Sequence, residues 1–324
     1  MYFFACSARF IYTKAIMITT NNIFPNFTWS QVHEMDESDR QWLHKSQEIP
    51  HEILNYAVDP YESARMEYAT AADLSLMIFD IVTPTSNRAT TEPVSFLFSN
   101  DGKRLYTFTR RETAYINPLI TEQSEINNAS VDMHPLDVIL NVTKKLTEKF
   151  MTTILEVNRQ RNPIQREIRQ VKQTKKIIDN LMDLQTSLIY LSNSITTDLD
   201  LIKSLREHEA KYLTPWQIEK IDDLNIELTQ AIDTADLSRQ VTDSVSNAYE
   251  NVANSNLNWT MKVLTVWSIV LTVPTIVSGF FGQNVPIPLY NSNGDAGWIL
   301  TIIITLILMA LTTLILWFTG FLRK

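Results

Sequence analysis

The chain has 324 residues, 45% of them hydrophobic, with 28 basic and 36 acidic side chains and a formal charge of −8. Its 6 glycines build no G-x-G-x-x-G or G-x-x-x-x-G-K-[ST] phosphate cradle, and no H-E-x-x-H is present. The single cysteine, Cys6, allows neither an internal disulfide nor a cysteine metal cluster, and a pI of 5.2 leaves no basic footprint for nucleic acid.

Charge and glycine divide the chain. After Lys262 only Asp295, Arg323 and Lys324 are charged, so the last 62 residues carry +1 and the first 262 carry −9. Gly102 stands alone upstream, whereas Gly279, Gly282, Gly294, Gly297 and Gly320 fall in the last 46 residues. This argues against one uniform globule and for a soluble region followed by a membrane region.

Residues 1–22 are expected to form a poorly ordered extension. The apolar start MYFFACSARFIY is interrupted by Arg9 and Lys14, too early for a span, and lacks the apolar core and cleavage site of a signal peptide. The absence of acidic residues before Glu34 keeps a transit peptide open, but the reading adopted is an untidy N-terminus with a start at Met17.

Residues 23–135 read as a mixed α/β domain. Ser38–Lys45 and Glu48–Tyr56 suggest short helices; Leu74–Val82, Pro93–Phe98 and Arg104–Thr109 suggest strands. Asn100-Asp101-Gly102 supplies a hairpin turn between the last two. The five histidines form no ligand-spaced group, and each is read as a surface or packing residue.

Residues 136–262 read as long cytoplasmic helices. Apolar residues recur at helical spacing from Leu146 to Ile202, suggesting one or two helices antiparallel to a later stalk, with a break or kink at Asn162-Pro163. The basic cluster Arg159–Lys176 is read as a solvated face. Thr214-Pro215-Trp216-Gln217 is a helix start, with Thr214 as cap, Pro215 at the first helical position and Gln217 completing a capping box. No proline or glycine follows until Pro274, so one helix is predicted from Pro215 to Phe281. It would be about 100 Å long at 1.5 Å per residue.

Two stretches are long and apolar enough to cross a bilayer, 263–281 and 298–318, separated by an outer loop at 282–297 and followed by a basic tail at 319–324. Lys262, Arg323 and Lys324 flank the pair while the loop has no Lys or Arg, which places both termini in the cytoplasm and the protein in the cell membrane. The second span is Ile/Leu-rich on all sides. The first continues a stripe at alternating steps of four and three: Asn247, Asn251, Asn254, Asn258, Met261, Thr265, Ser268, Thr272, Thr275, Gly279. Polar groups in hydrocarbon face protein or water. Within the membrane, dry helix packing and pore lining are equally open. Four successive asparagines beyond it favour a hydrated axis, because a dry coiled-coil seam tolerates one buried Asn at a cost in stability.

Asn258-Trp259-Thr260-Met261-Lys262-Val263-Leu264-Thr265, a proline-containing helix, Phe281-Gly282-Gln283-Asn284, a short loop, a second span and a basic end together resemble the CorA family of divalent-cation channels. The segment TWSQVHEMDESDRQWLHKSQEIPHEILNYAVDP is also similar to that family's N-terminal region. The resemblance implies an α+β cytoplasmic domain, a long stalk helix and two C-terminal transmembrane helices in a funnel-shaped homopentamer, with no enzyme activity and no cofactor. Its partners would be membrane lipid and divalent cations, with Mg2+ both transported and regulatory. It further implies Gly282, Gln283 and Asn284 as the selectivity motif, with Asn284 meeting the hydrated ion. Asn258 would be an inner polar ring, Met261 and Leu264 the hydrophobic gate, and Thr275 and Gly279 pore-lining. Asp223 matches a regulatory Mg2+ position, for which no partner carboxylate is evident: the loop Thr83–Glu92 offers only Glu92. Gln283 departs from the family's methionine, Asn247 stands where an acidic ring is usual, and the loop has only Asp295. Ion attraction would be weaker, and a Zn2+ transporter of the same family is the alternative. A non-conducting membrane-anchored coiled-coil scaffold is the alternative from another class.

Overall fold

The computed structural model describes residues 18–83, 88–126, 133–169, 175–208, 212–283 and 294–321. Two compact units divide the chain: residues 1–167 with 174–244, and residues 168–173 with 245–324.

The first unit contains a six-stranded sheet in the order β1-β2-β6-β5-β4-β3, formed by β1 (Ile18–Asn21), β2 (Thr28–His33), β3 (Arg65–Ala69), β4 (Leu74–Thr83), β5 (Thr90–Ser99) and β6 (Arg104–Thr109). The β2–β6 pair is parallel and all others antiparallel. All ten residues of β4 are buried, which is why it reads as an apolar run instead of an alternating one. Leu74, Leu76 and Ile78 join Leu43 and Leu54 of the two short helices, and Ile49 between them, in one core on one face. Those helices are α1 (Glu37–Gln47) and α2 (His51–Val58). Met77, Phe79 and Ile81 point to the opposite face and are equally buried.

The hairpin predicted at Asn100-Asp101-Gly102 joins β5 to β6. Gly102 has φ +72°, and a Cβ there would lie 2.7 Å from the His134 ring, so glycine is required twice over. The first unit differs from the sequence reading in three places, one with a clear local cause. Strand β1 pairs with β2 from Ile18, ahead of the boundary expected at residue 23. Helix α2 starts at His51 and not Glu48, because Glu48 is left-handed (φ +58°) and closes α1, while Pro50 disfavours helix at Ile49. Strands β2 and β3 and helix α3 (Ile116–Ile126) were not anticipated.

Helices α4 (Pro135–Arg169), α5 (Lys175–His208) and α6 (Pro215–Phe281) follow. The capping box of α6 is formed as its sequence predicts: Gln217 N–H donates to Thr214 Oγ1 at 3.2 Å, and Thr214 N–H to Gln217 Oε1 at 2.9 Å. Gln217 Nε2 also donates to Asp137 Oδ1 at 2.7 Å, which ties the start of α6 to the start of α4. The proline at 163 does not break α4. Both Pro163 and Arg159, whose carbonyl loses its helical partner, are exposed, so water can satisfy that oxygen.

Nor do both helices run antiparallel to α6. Gln185 bonds Asp243, Ser192 bonds Asp236 and Arg206 bonds Asp222, an antiparallel register for α5. Asp137 meets Gln217, Lys144 meets Glu227 and Asn158 meets Ser238, a parallel register for α4. Two helices joined by a short connection oppose each other, so only one of them can oppose the third.

Candidate functional site

In the second unit, α6 continues to Phe281 and is followed by α7 (Gly294–Phe318). Both are long and apolar enough to cross a membrane. Along α7 the large side chains are left uncovered by the described residues: Trp298, Ile303, Leu306, Ile307, Leu314 and Trp317 are all exposed. Such a surface is not stable against water. Trp298 and Trp317 lie 19 residues apart, about 28 Å at 1.5 Å per residue, close to the thickness of a hydrocarbon core.

On α6 the two faces differ. Val266 and Val277 are buried, and Val263, Val270 and Val273 between them are half-buried. This valine ladder at three- and four-residue steps was legible in the sequence and was missed. The predicted stripe lies about 150° around the helix from it, at about 100° per residue. Every member is exposed in the single chain: Asn247, Asn251, Asn254, Asn258, Met261, Thr265, Ser268, Thr272, Thr275 and Gly279, with Leu264 beside them. None of the described residues covers the polar face, while the apolar valines are covered.

The hydroxyls along the stripe have a common orientation. Thr265 donates to Met261 O (2.8 Å), Ser268 to Leu264 O (2.9 Å), Thr272 to Ser268 O (2.8 Å) and Thr275 to Leu271 O (3.3 Å). Each O–H is used on its own helix, which leaves oxygen lone pairs facing outward. The hydroxyl part of the face therefore presents acceptors without bearing a charge, and the asparagines before it add amide carbonyls beside their own donors.

Gly282 and Gln283 follow as a turn, with Gly282 N–H donating to Ser278 O at 2.8 Å. A Cβ on Gly282 would sit 2.8 Å from that same carbonyl oxygen, so the chain can leave the helix this way only without a side chain. A Cβ on Gly279 would meet nothing within 4 Å. Asn284 lies outside the described residues, as does the loop that follows it.

Asp223, in the first unit, is half-buried on α6 near the Lys144–Glu227 ion pair (3.3 Å), and its charge helps hold Lys144 above the ordinary lysine pKa, behind the larger effect of Glu227. The neighbouring Asp222 is paired with Arg206 at 3.1 Å. Glu92, expected in a loop, lies in β5 and pairs with Arg110 at 3.5 Å. Among the described residues of this single chain, no group of three acidic, histidine or cysteine side chains could hold a metal, so Asp223 gains no ligating partner here.

The family model for the CorA-like Mg2+ transporter protein matches residues 25–323. The chain belongs to that family. Its members are divalent-cation transporters and not enzymes. A curated relative, the cobalt/magnesium transport protein CorA of Methanocaldococcus jannaschii, is 25% identical over 136 residues, and the alignment spans 42% of this chain and 43% of that protein's length. The complete structure of the CorA magnesium transporter from the same organism superposes with a TM-score of 0.78 at 19% identity, covering 91% of this chain and 92% of that one. The full-length CmaX protein gives 0.68 at 15% identity, covering 92% and 89%. The cytoplasmic domain of ZntB from Vibrio parahaemolyticus gives 0.57 at 12% identity, covering 71% and 88%. At these identities the structural matches establish the fold: an α+β domain, a long helix and a C-terminal apolar helix.

Proposed function

We propose that this chain is the subunit of a homopentameric divalent-cation channel of the cell membrane, with both termini cytoplasmic and Mg2+ as its principal ion. Co2+ and Ni2+ are the further candidates. The observation that carries this reading is the exposed acceptor face of α6. A Mg2+ ion dehydrates reluctantly and keeps several waters. Those waters present hydrogens outward, and a wall of lone pairs and amide carbonyls accepts them without stripping the shell. Because the wall is neutral, the ion is held weakly enough to leave, as conduction requires. Five copies of α6 around an axis would turn the uncovered stripe inward, with Met261 and Leu264 as the dewetting constriction and Asn284 at the outer mouth. The cobalt and magnesium in the curated relative's name support the choice of ion.

Asp223 would serve in a regulatory Mg2+ site between subunits. The absence of a ligand group among the described residues of one chain fits a site completed by a neighbour. Internal Mg2+ would then hold the closed state.

The test is flux through purified protein in liposomes, with Mg2+, Co2+, Ni2+ and Zn2+ compared with and without internal Mg2+. The expected result is Mg2+ flux that internal Mg2+ suppresses. Flux of Zn2+ alone would favour the other transport reading, and a non-pentameric protein with no flux would favour the scaffold.

A further inference from the structure

A slot of about 790 Å³ lies wholly within the first unit, between α4, α5 and the adjoining ends of β4 and β5. Along α4 it extends from Lys149 to Ile164, about 22 Å at 1.5 Å per residue. It stays open because the facing positions are short or polar, among them Thr153 and Gln160 on α4 and Asn180 and Ser187 on α5. Its volume is in the range that takes small organic ligands, about 300–1,000 Å³.

The wall's charges do not cancel. Arg88 and Asp183 neutralise each other at 2.5 Å. Lys149 has no carboxylate within ion-pair distance among the described residues. Its ammonium rests 3.3 Å from the centre of the Tyr115 ring, and burial pushes its pKa down. Lys176 also has no ion pair among the described residues, which leaves two cations against Glu156. On a chain of net charge −8 this is a local reversal of sign. A partly desolvated ammonium lacking a counter-charge gains most from an anion.

We propose that this slot is a binding site for a soluble organic phosphate, with its phosphate against Lys149 and its body along the slot toward Pro163. A bare phosphate would occupy only one end of so long a cavity. A lysine ammonium suits phosphate as a point charge, without the fork geometry that a planar carboxylate favours. The assignment does not rest on the transport reading.

The test is titration calorimetry on the full chain in detergent with EDTA present, using ATP, inorganic pyrophosphate and dioctanoyl phosphatidic acid as separate probes. ATP is expected to bind saturably and more tightly than pyrophosphate. Lys149→Gln should weaken ATP about tenfold, the loss of one charge-assisted contact. Lys203→Gln, exposed on α5 and outside the slot, should leave it unchanged. Thr153→Phe fills the slot without altering charge and should also cut binding, with a melting profile to confirm that each variant is folded. The proposal is overturned by no saturable ATP binding, by parental affinity for ATP in the Lys149 and Thr153 variants, or by saturable binding of the phosphatidic acid alone, which would assign the site to a lipid headgroup.

Discussion

The backbone N–H of Asp80 in β4 donates to Asp198 Oδ1 in α5 at 2.8 Å, across 118 residues of chain. The sheet explains why. On the side of β4 away from β5, the pairing with β3 ends at Ile78, so the amide of Asp80 faces a position that β3 leaves vacant. Asp198 fills that position, but its Oδ2 is buried with no hydrogen-bond partner among the described residues, and the buried Asp80 lies beside it. Burial raises the pKa of both carboxyls; for Asp198 the neighbouring Asp80 adds to it. A raised native pKa means that the folded state holds protons that the unfolded state releases. Stability from this pair is therefore complete below the ordinary value near 3.8 and is lost as pH rises toward the native values. Each tenfold difference in proton affinity between the folded and unfolded chain corresponds to about 1.4 kcal/mol. Asp198→Asn keeps the acceptor and removes the charge. Thermal melts of the full chain in detergent from acid to neutral pH should fall for the parent and flatten for the variant, which should be the more stable at neutral pH. An unchanged slope would remove the pair from the pH response.

Asn284 is the first residue to test for the ion path. Asn284→Ala is expected to abolish Mg2+ uptake in a transport-deficient strain while the protein still reaches the membrane at normal level. Its amide oxygen would be the outermost acceptor for hydration waters, and alanine offers none. Normal uptake by this variant would sink the channel assignment.

The start of α6 supports a stability prediction. Gln217 takes part in a reciprocal cap with Thr214 and in the bond to Asp137, so loss of its side chain frees the N–H of exposed Thr214 and the carboxylate of half-buried Asp137. Gln217→Ala should cost about 1–3 kcal/mol in unfolding free energy. Thr214→Ala, which removes one cap bond and leaves the Asp137 contact, should cost less, about 1 kcal/mol. Chemical denaturation of the two variants compares them directly, and equal losses would assign no weight to the Asp137 contact.

The same cap marks how much of the fold was legible. Helix α6 could be read from Pro215 to Phe281 because a capping box opens it and no proline or glycine follows until Pro274, and both signals are local. Strand β6 was likewise read to the residue. The direction of α4 was not, since parallel packing on α6 follows from a connection between helices and not from periodicity. Of the two outcomes open at Pro163, a break or a kink, the break does not occur, because its cost depends on whether the freed carbonyl meets water. Asp80 carried a visible signal, an acid inside LSLMIFDIV, but its partner lies in another element. The acceptor stripe was legible as spacing, whereas the direction of its hydroxyls was not.

Gly279 and Gly282 separate the needs of the chain from those of an assembly. A Cβ at 282 collides with Ser278 O at 2.8 Å, so Gly282→Ala must shift the end of α6 and the motif after it. It should lower uptake sharply whatever the oligomer. A Cβ at 279 meets nothing, and alanine there should favour the helix by about 1 kcal/mol. If Gly279→Ala nonetheless lowers Mg2+ uptake at normal membrane abundance, the missing space belongs to the axis between copies. Undiminished uptake would take Gly279 off the ion path.

Met261 and Leu264 test the gate. They lie three residues apart on α6, 59% and 66% exposed in the single chain, between the asparagine run and the hydroxyl run. Apolar side chains at such a point close a narrow pore by excluding water, with no need for physical occlusion. Replacing both with serine should leave the pore wetted. Basal Mg2+ flux into liposomes should then rise, and suppression by internal Mg2+ should weaken. A seam of dry helix packing predicts the reverse, because serine there removes apolar contact and loosens the assembly, which would appear as lost oligomer on native electrophoresis and reduced flux. The two readings of the stripe therefore differ in the sign of one measurement.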